Sequence, residues 1–104
     1  MAASTLAWRL RRLPSAVVCG RRVAVANEFR SRLLGLSRLE LDEAGPGLLI
    51  PHCAGVHTFG VRFPLDLVFL DRDGWICSVR RAVPPRRFAS DRRARAVLEL
   101  PFGE

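Results

Sequence analysis

The sequence contains no lysine, so its 17 strongly basic side chains are all arginine. Against ten Asp and Glu residues they give a formal net charge of +7. A phosphate-binding surface favours arginine for its planar fork, but it would rarely exclude lysine from unrelated exposed positions as well. The absence of lysine therefore indicates the coding composition of the source genome rather than a ligand. The net charge still predicts nonspecific attraction to polyanions at low salt.

Cysteine is also scarce, and Cys19, Cys53 and Cys77 are the only three. An odd number at irregular spacing excludes a disulfide framework that uses every thiol. We expect reduced thiols in a cytoplasmic protein. No apolar run approaches the roughly 20 residues of a membrane-spanning helix, which excludes such a helix. At 104 residues we expect a single domain, since domains usually run to roughly 100–150 residues.

Acidic side chains are absent from the start of the chain, where Glu28 is the first carboxylate. Three leucines before Pro14 share one face of a helix, which the proline would interrupt. An arginine-containing start of this kind is typical of a transit peptide and equally of a frayed appendage, whereas the interspersed arginines exclude a secretory signal. We predict a flexible or weakly helical extension over residues 1–14 and a single β domain over residues 15–104.

Short β-branched and apolar segments separated by turn residues predict a mainly β chain. Segments 16–19 and 23–26 flank a turn that contains Gly20, which predicts an opening hairpin. Asn27 can accept a hydrogen bond from the free backbone donors that follow it, so it is a good N-cap. The sequence therefore predicts one short helix near residues 28–34.

The clearest unit is a second hairpin. Residues 65–70 form a nearly continuous apolar run, residues 71–74 have turn composition, and residues 75–79 resume the β pattern. Because both faces of its first strand are apolar, we expect that strand in the middle of the core. With a brief run at 48–50 and a last strand at 96–100, the pattern predicts a compact single-domain β-sandwich or partly open barrel.

The two histidines lie close to a thiol and form the best candidate for a chemical site. His52, Cys53 and His57 could ligate zinc with Asp66 as a fourth ligand, but they lack the paired cysteine spacing of structural zinc sites, so we predict no metal and no cofactor. Cys53, His57 and Asp66 also have the side chains that cysteine catalysis needs: a thiol nucleophile, a base and a carboxylate that orients the base. No sequence feature, however, indicates an oxyanion hole. In a purely structural alternative, His57 and Thr58 hydrogen-bond to loop backbone and Cys53 packs as a small apolar side chain.

A basic stretch covers residues 80–95, where seven arginines face a single acid, Asp91. With Phe88 interleaved, this composition is typical of a surface that follows a phosphate backbone and stacks a base. It is also typical of a solvated strand edge whose charges prevent edge-to-edge pairing. For the first alternative, the candidate anion-binding residues are Arg86, Arg87, Arg92 and Arg93.

One carboxylate, Asp66, lies within the apolar run of the second hairpin. An unpaired charge inside a protein is costly, so this side chain needs a partner if it is buried. Arg62 precedes it by four residues, and we predict a structural ion pair between the two.

Four blocks of the sequence agree in order and spacing with a known family. They are Arg30-x-Arg32-Leu33-x-Gly35-Leu36, Gly47-Leu48-Leu49-Ile50, His57-Thr58-Phe59-x-Val61-Arg62-Phe63-Pro64-Leu65-Asp66-Leu67-Val68-Phe69-Leu70-Asp71, and Val97-Leu98-Glu99-Leu100-Pro101-x-Gly103. From about Val23 to Gly103 the chain resembles domain-of-unknown-function family 192, also called uncharacterised protein family 0127. The resemblance implies a compact, mainly β domain without an established activity.

The chain departs from that family at particular positions. Leu36 and Val61 stand where similar sequences usually have methionine, which changes the packing volume only modestly. Family members usually continue past the Leu-Glu-Leu-Pro block through a further glycine-containing segment and strand, whereas this sequence ends at Glu104. Without its usual C-terminal strand, a sheet edge would be unpaired, and an unpaired edge favours dimerisation.

No pattern in the sequence specifies a catalytic constellation. We therefore predict a non-catalytic binding or accessory module for a small ligand or a protein, and we favour this role over an enzymatic one. The candidate ligand pocket contains His57, Thr58, Phe59, Arg62 and Asp66. Polyanion or nucleic-acid binding through residues 80–95 is the alternative, and a metal-dependent or thiol enzyme at His52, Cys53 and His57 is the second alternative.

Overall fold

The computed structural model describes residues 13–26, 35–36, 39 and 45–102. The strands in these residues are β1 (Ser15–Val18), β2 (Arg21–Val25), β3 (Leu48–Pro51), β4 (Gly55–His57), β5 (Leu65–Leu70), β6 (Ile76–Val83), β7 (Phe88–Ser90) and β8 (Ala96–Pro101). The described part of the chain contains no helix, and hence none long and apolar enough to cross a membrane. The helix predicted near residues 28–34 lies outside the described residues, as does most of the predicted extension at 1–14.

Six strands form one sheet in the order β1-β2-β3-β8-β5-β6, and β4 pairs with β7 in a second sheet. β2 and β3 run parallel, whereas the other neighbouring strands run antiparallel. β1 and β6 are the two edges of the larger sheet, so the described strands do not close into a barrel. The prediction of a compact, mainly β single domain is confirmed.

Both predicted hairpins are present. Cys19 and Gly20 form the two-residue connection between β1 and β2, with φ values of 50° and 79°, as a type I′ turn requires. Between β5 and β6, Asp71 Oδ1 accepts hydrogen bonds from the backbone N–H groups of Asp73 and Trp75, both at 2.9 Å. Local turn chemistry therefore sets the connection in each hairpin.

β5 lies inside the larger sheet, between β8 and β6, as its apolar composition predicts. Leu65, Leu67 and Phe69 contribute to the larger apolar cluster on one face of the sheet. Val68 and Leu70 contribute to a smaller cluster on the other face. This alternation follows from the two-residue period of a strand, and it buries both faces of β5.

A β-bulge interrupts the pairing of β5 with β6 opposite Asp66. The register shifts there, and Ala82 adopts a left-handed conformation with φ 52°. Asp66 Oδ1 accepts the Ala82 N–H at 2.8 Å, and Asp66 Oδ2 lies 3.1 Å from Arg81 Nε. The predicted partner Arg62 is therefore wrong for this ion pair, because the bulge brings Arg81 to the carboxylate. The carboxylate holds the backbone of the bulge in place.

Candidate functional site: an aromatic groove beside β7

The β4–β7 sheet is fastened by Thr58, which immediately follows β4. Its backbone N–H donates to Arg87 O at 2.9 Å, and its hydroxyl donates to Pro84 O at 2.7 Å. The same hydroxyl accepts the Arg87 N–H at 2.9 Å. Since Thr58 is buried and makes these backbone hydrogen bonds, its role is to position the loop that leads into β7.

Three aromatic rings meet at the start of β7. In the register of this sheet His57 lies opposite Phe88, and their ring centroids are 6.3 Å apart in an edge-on arrangement. Phe59 packs at 5.2 Å from Phe88 and at 5.9 Å from His57. Contacts at these separations and tilts are favourable for aromatic rings. Nevertheless Phe88 is 79% exposed and Phe59 is 45% exposed, so the cluster presents ring surface to solvent.

A groove with a volume of about 490 Å³ runs beside this cluster. The described residues that line it are Gly55, Val56, His57, Arg80, Phe88, Ala89 and Ser90. Arg80 comes from β6, and its Nη2 donates to Ser90 O at 3.4 Å, which links β6 to β7. None of these described lining residues is acidic. The groove therefore combines aromatic surface with a single positive charge.

Gly55, one of the residues that line the groove, pairs with Ser90 where β4 meets β7. A Cβ at this position would lie 3.1 Å from the Ser90 Cβ and 3.4 Å from the Ala89 backbone oxygen. The absence of a side chain thus lets β4 and β7 approach closely. A larger residue here would push the two strands apart and change the shape of the groove.

The structure distributes the predicted pocket residues over three places. His57 lines the groove and Phe59 completes its aromatic cluster, whereas Thr58 is buried behind them. Arg62 is exposed, and Asp66 accepts a hydrogen bond from the backbone of the β6 bulge. Neither of the last two is among the described lining residues.

The His52, Cys53 and His57 segment gains no support as a reactive centre. No group of three or more His, Cys, Asp or Glu side chains within the described ranges is placed to hold a metal ion. Cys53 packs against the larger apolar cluster, and its thiol donates to Gly55 O at 2.8 Å. Asp66 is engaged by Arg81 and Ala82. His57 Nδ1 is buried without a hydrogen-bond partner among the described residues.

The basic stretch divides into paired and unpaired arginines. Arg93 donates to both carboxylate oxygens of Asp91, from Nη2 at 2.8 Å and from Nε at 3.1 Å. The Arg93 guanidinium and the Ser78 hydroxyl hold the pKa of the Asp91 carboxyl well below its usual range. Arg93 is thus committed to a structural ion pair, whereas the exposed Arg86 and Arg87 take part in neither of the ion pairs between described residues.

Several groove residues could not be recognised from the sequence. Arg80 was visible only as one member of the basic stretch, and the short strands β4 and β7 have no pattern long enough to predict a strand. Val56 and Ser90 enter the groove only because β4 pairs with β7. The signals that did point to the groove were His57 and Phe59 in the predicted pocket, and Phe88 among the arginines of residues 80–95.

Comparison with known proteins identifies the fold. The family model of DUF192, described as "Uncharacterized ACR", matches residues 15–104. A Novosphingobium aromaticivorans protein of unknown function has a TM-score of 0.65 at 22% identity, over 99% of this chain and 89% of its own. A Sinorhizobium meliloti protein named a "putative transcription regulator" has a TM-score of 0.64 at 23% identity, over 86% of this chain and 78% of its own. No curated protein matches the sequence.

Proposed function

Since this chain belongs to the DUF192 family, whose description names no reaction, we propose from the site itself that it is a non-catalytic binding module with its ligand in the aromatic groove. The observation that carries this proposal is the exposure of Phe88. Phe88 is 79% exposed even though its ring contacts those of His57 and Phe59. Solvent-exposed aromatic surface beside a concave site is typical of ligand or partner contacts.

The groove favours a ligand with one flat or apolar part and one negative charge. Phe88 and Phe59 offer ring faces and edges to the flat part. Arg80, which also lines the groove, offers guanidinium donors to an anion, and arginine binds carboxylates, sulfonates and phosphates through paired N–H donors. The reactive alternatives are not part of this proposal, because Cys53 and Asp66 are engaged in structural contacts.

The test uses naphthalenesulfonate as a probe, since it joins a flat ring system to an anion. Titration into isotope-labelled protein should shift the backbone amide signals of Gly55, Val56 and Ala89. Phe88→Ala should abolish these shifts. Trp75→Ala removes an equally exposed aromatic ring outside the groove, 74% exposed in the native protein, and should leave them unchanged. Shifts spread over the whole chain, or equal loss in both variants, would contradict the proposal.

Polyanion binding is the second candidate function. It is favoured by the net charge of +7 and by the two exposed arginines, Arg86 and Arg87, that lie outside the described ion pairs. The "putative transcription regulator" among the similar structures is compatible with a polyanionic partner. This candidate predicts that log affinity for heparin falls linearly with log salt concentration. Neutralising Arg86 and Arg87 should reduce the slope more than neutralising Arg93, which is already paired with Asp91.

A further inference from the structure

We infer that the ligand of the aromatic groove is a single-stranded nucleic acid, with an unpaired base on Phe88 and a phosphate at Arg80. This inference rests on the proposed function and names the ligand class for the same groove. It needs three properties of the site: a ring that a base can reach, a cation beside that ring, and no carboxylate that repels the backbone.

The ring of Phe88 is both accessible and held in place. Its backbone is fixed by the pairing with His57, and its ring contacts those of His57 and Phe59. With 79% of Phe88 still exposed, a base can stack on it without displacing protein atoms. Stacking on a ring that is already oriented loses little side-chain entropy, and any of the bases offers a suitable face.

The charges around the ring suit a phosphate backbone. Arg80 lines the groove and keeps guanidinium donors beyond the one that bonds to Ser90 O. Arg86 and Arg87 immediately precede Phe88 and are exposed. Asp91, which directly follows β7, is paired with Arg93, and Asp66, which faces the bulge in β6, is paired with Arg81. Among the described residues, the charged side chains that line the groove or immediately precede Phe88 are therefore all positive.

Single strands fit this site better than duplexes. In a duplex both faces of a base are stacked on its neighbours, so Phe88 could contact only the outside of the helix. The exposed rings would then contribute nothing, and binding would depend on the arginines alone. A single strand engages the rings and the cations together, which is the usual combination in proteins that bind unpaired nucleic acid.

The experiment measures fluorescence anisotropy of labelled oligothymidine and oligouridine of about ten nucleotides, a common site length. Competitors are a duplex of the same length and poly-L-glutamate of matched charge. We expect the single strand to bind at least several-fold more tightly than either competitor. Phe88→Ala should weaken single-strand binding roughly tenfold and leave poly-L-glutamate binding unchanged. Phe88→Tyr should retain affinity, since it keeps the ring.

The salt dependence of binding distinguishes the contribution of Arg80 from that of the Phe88 ring. Arg80→Gln should lower the slope of log affinity against log salt by about 0.7, the value for one phosphate contact on a single strand. Phe88→Ala should weaken binding without changing the slope. Trp75→Ala is the matched control and should change neither. Unchanged amide spectra outside the groove will show that each variant is folded.

Each remaining outcome decides between the proposals. If poly-L-glutamate or the duplex binds as tightly as the single strand and Phe88→Ala has no effect, the site is a general polyanion surface and the inference is overturned. If the oligonucleotides do not bind but naphthalenesulfonate still shifts the groove amides, the inference fails and the binding module stands. If neither probe reaches the groove, both fail. A difference between oligothymidine and oligouridine that persists when oligodeoxyuridine replaces oligothymidine would assign DNA or RNA, because only the 2′-hydroxyl then differs.

Discussion

The carboxyl group of Glu99 lies directly against Gly35. A Cβ placed on Gly35 would be only 3.0 Å from Glu99 Oε1, and that oxygen has no hydrogen-bond partner among the described residues. Glu99 pairs with Leu48 of β3 on one side and with Leu67 of β5 on the other, and only 2% of the residue is exposed. Burial raises the pKa of this carboxyl to about 8, although a hydrogen bond from the Leu36 backbone acts in the opposite direction.

This raised pKa predicts that stability falls as the pH rises. Below the ordinary pKa of 4.5, Glu99 is protonated in both the folded and the unfolded chain. The free energy cost of burying Glu99 is then smallest, because the buried group carries no charge. Between that value and about 8 the unfolded chain loses the proton and the folded chain keeps it. The free energy of unfolding should therefore decrease by up to about 1.4 kcal/mol per pH unit across this range.

Glu99→Gln tests this account, because glutamine has the shape of the protonated acid and does not titrate. The measurement is denaturant unfolding at about pH 5 and about pH 9. The variant should lose the part of the pH dependence due to Glu99 and should exceed the native protein in stability at the higher pH. Parallel pH profiles for the two proteins would show that Glu99 is not the group responsible.

Asp66 should contribute to stability mainly through the backbone of the bulge. Its oxygen accepts the Ala82 N–H, and replacing Asp66 by Ala removes this hydrogen bond to a charged acceptor together with the ion pair, at a cost of about 1–3 kcal/mol. Arg81→Gln removes only the ion pair, whose arginine side chain is 70% exposed, and should cost less than about 1 kcal/mol. Chemical denaturation of both variants gives the comparison, and equal losses would argue that the ion pair matters more than the bulge.

The same substitution should have very different effects at two phenylalanines. Phe69 is fully buried in β5, and Phe69→Ala should cost about 3–5 kcal/mol through lost packing and a cavity. Phe88 is 79% exposed, and Phe88→Ala should change stability by less than about 1 kcal/mol. Thermal or denaturant unfolding measures both. A small effect at Phe69 would mean that β5 is not central to the core.

The three thiols should differ in their reaction with an alkylating reagent. Cys19 is exposed in the β1–β2 turn, whereas Cys53 and Cys77 are partly buried. Cys53 also packs against the core, and its thiol donates a hydrogen bond to Gly55 O. Cys19 should therefore be modified first in the folded protein, as mass spectrometry of partially alkylated protein would show. Faster modification of Cys53 would revive the thiol-enzyme alternative, because reactivity follows thiolate character and access.

The sequence predicted the features that depend on neighbours in the chain. The β5–β6 hairpin follows from a continuous apolar run and the turn residues Asp71 and Gly74, and the β1–β2 hairpin follows from the turn at Gly20. These signals are local and act within a few residues. The central position of β5 could also be predicted, because a strand with two apolar faces must be covered on both of those faces.

The remaining features of the fold and of the groove could not be predicted, because they depend on pairing between residues far apart in the sequence. β4 and β7 contain three residues each, too few to show a period, and they become strands because Thr58 fastens them together. The bulge that brings Arg81 to Asp66 changes the register by one residue, which no spacing rule revealed. Glu99 lies between Leu98 and Leu100 in the sequence, where a strand pattern would equally permit an acid that faces solvent.

β8 is the last described strand in the chain, yet it lies between β3 and β5 in the sheet. During synthesis on the ribosome, both hairpins can form before β8 emerges, but β3 and β5 then each have an edge without a partner. Unpaired edges of nascent chains are sites of intermolecular association. Newly made chains should therefore be most prone to association until β8 enters the sheet and completes both pairings.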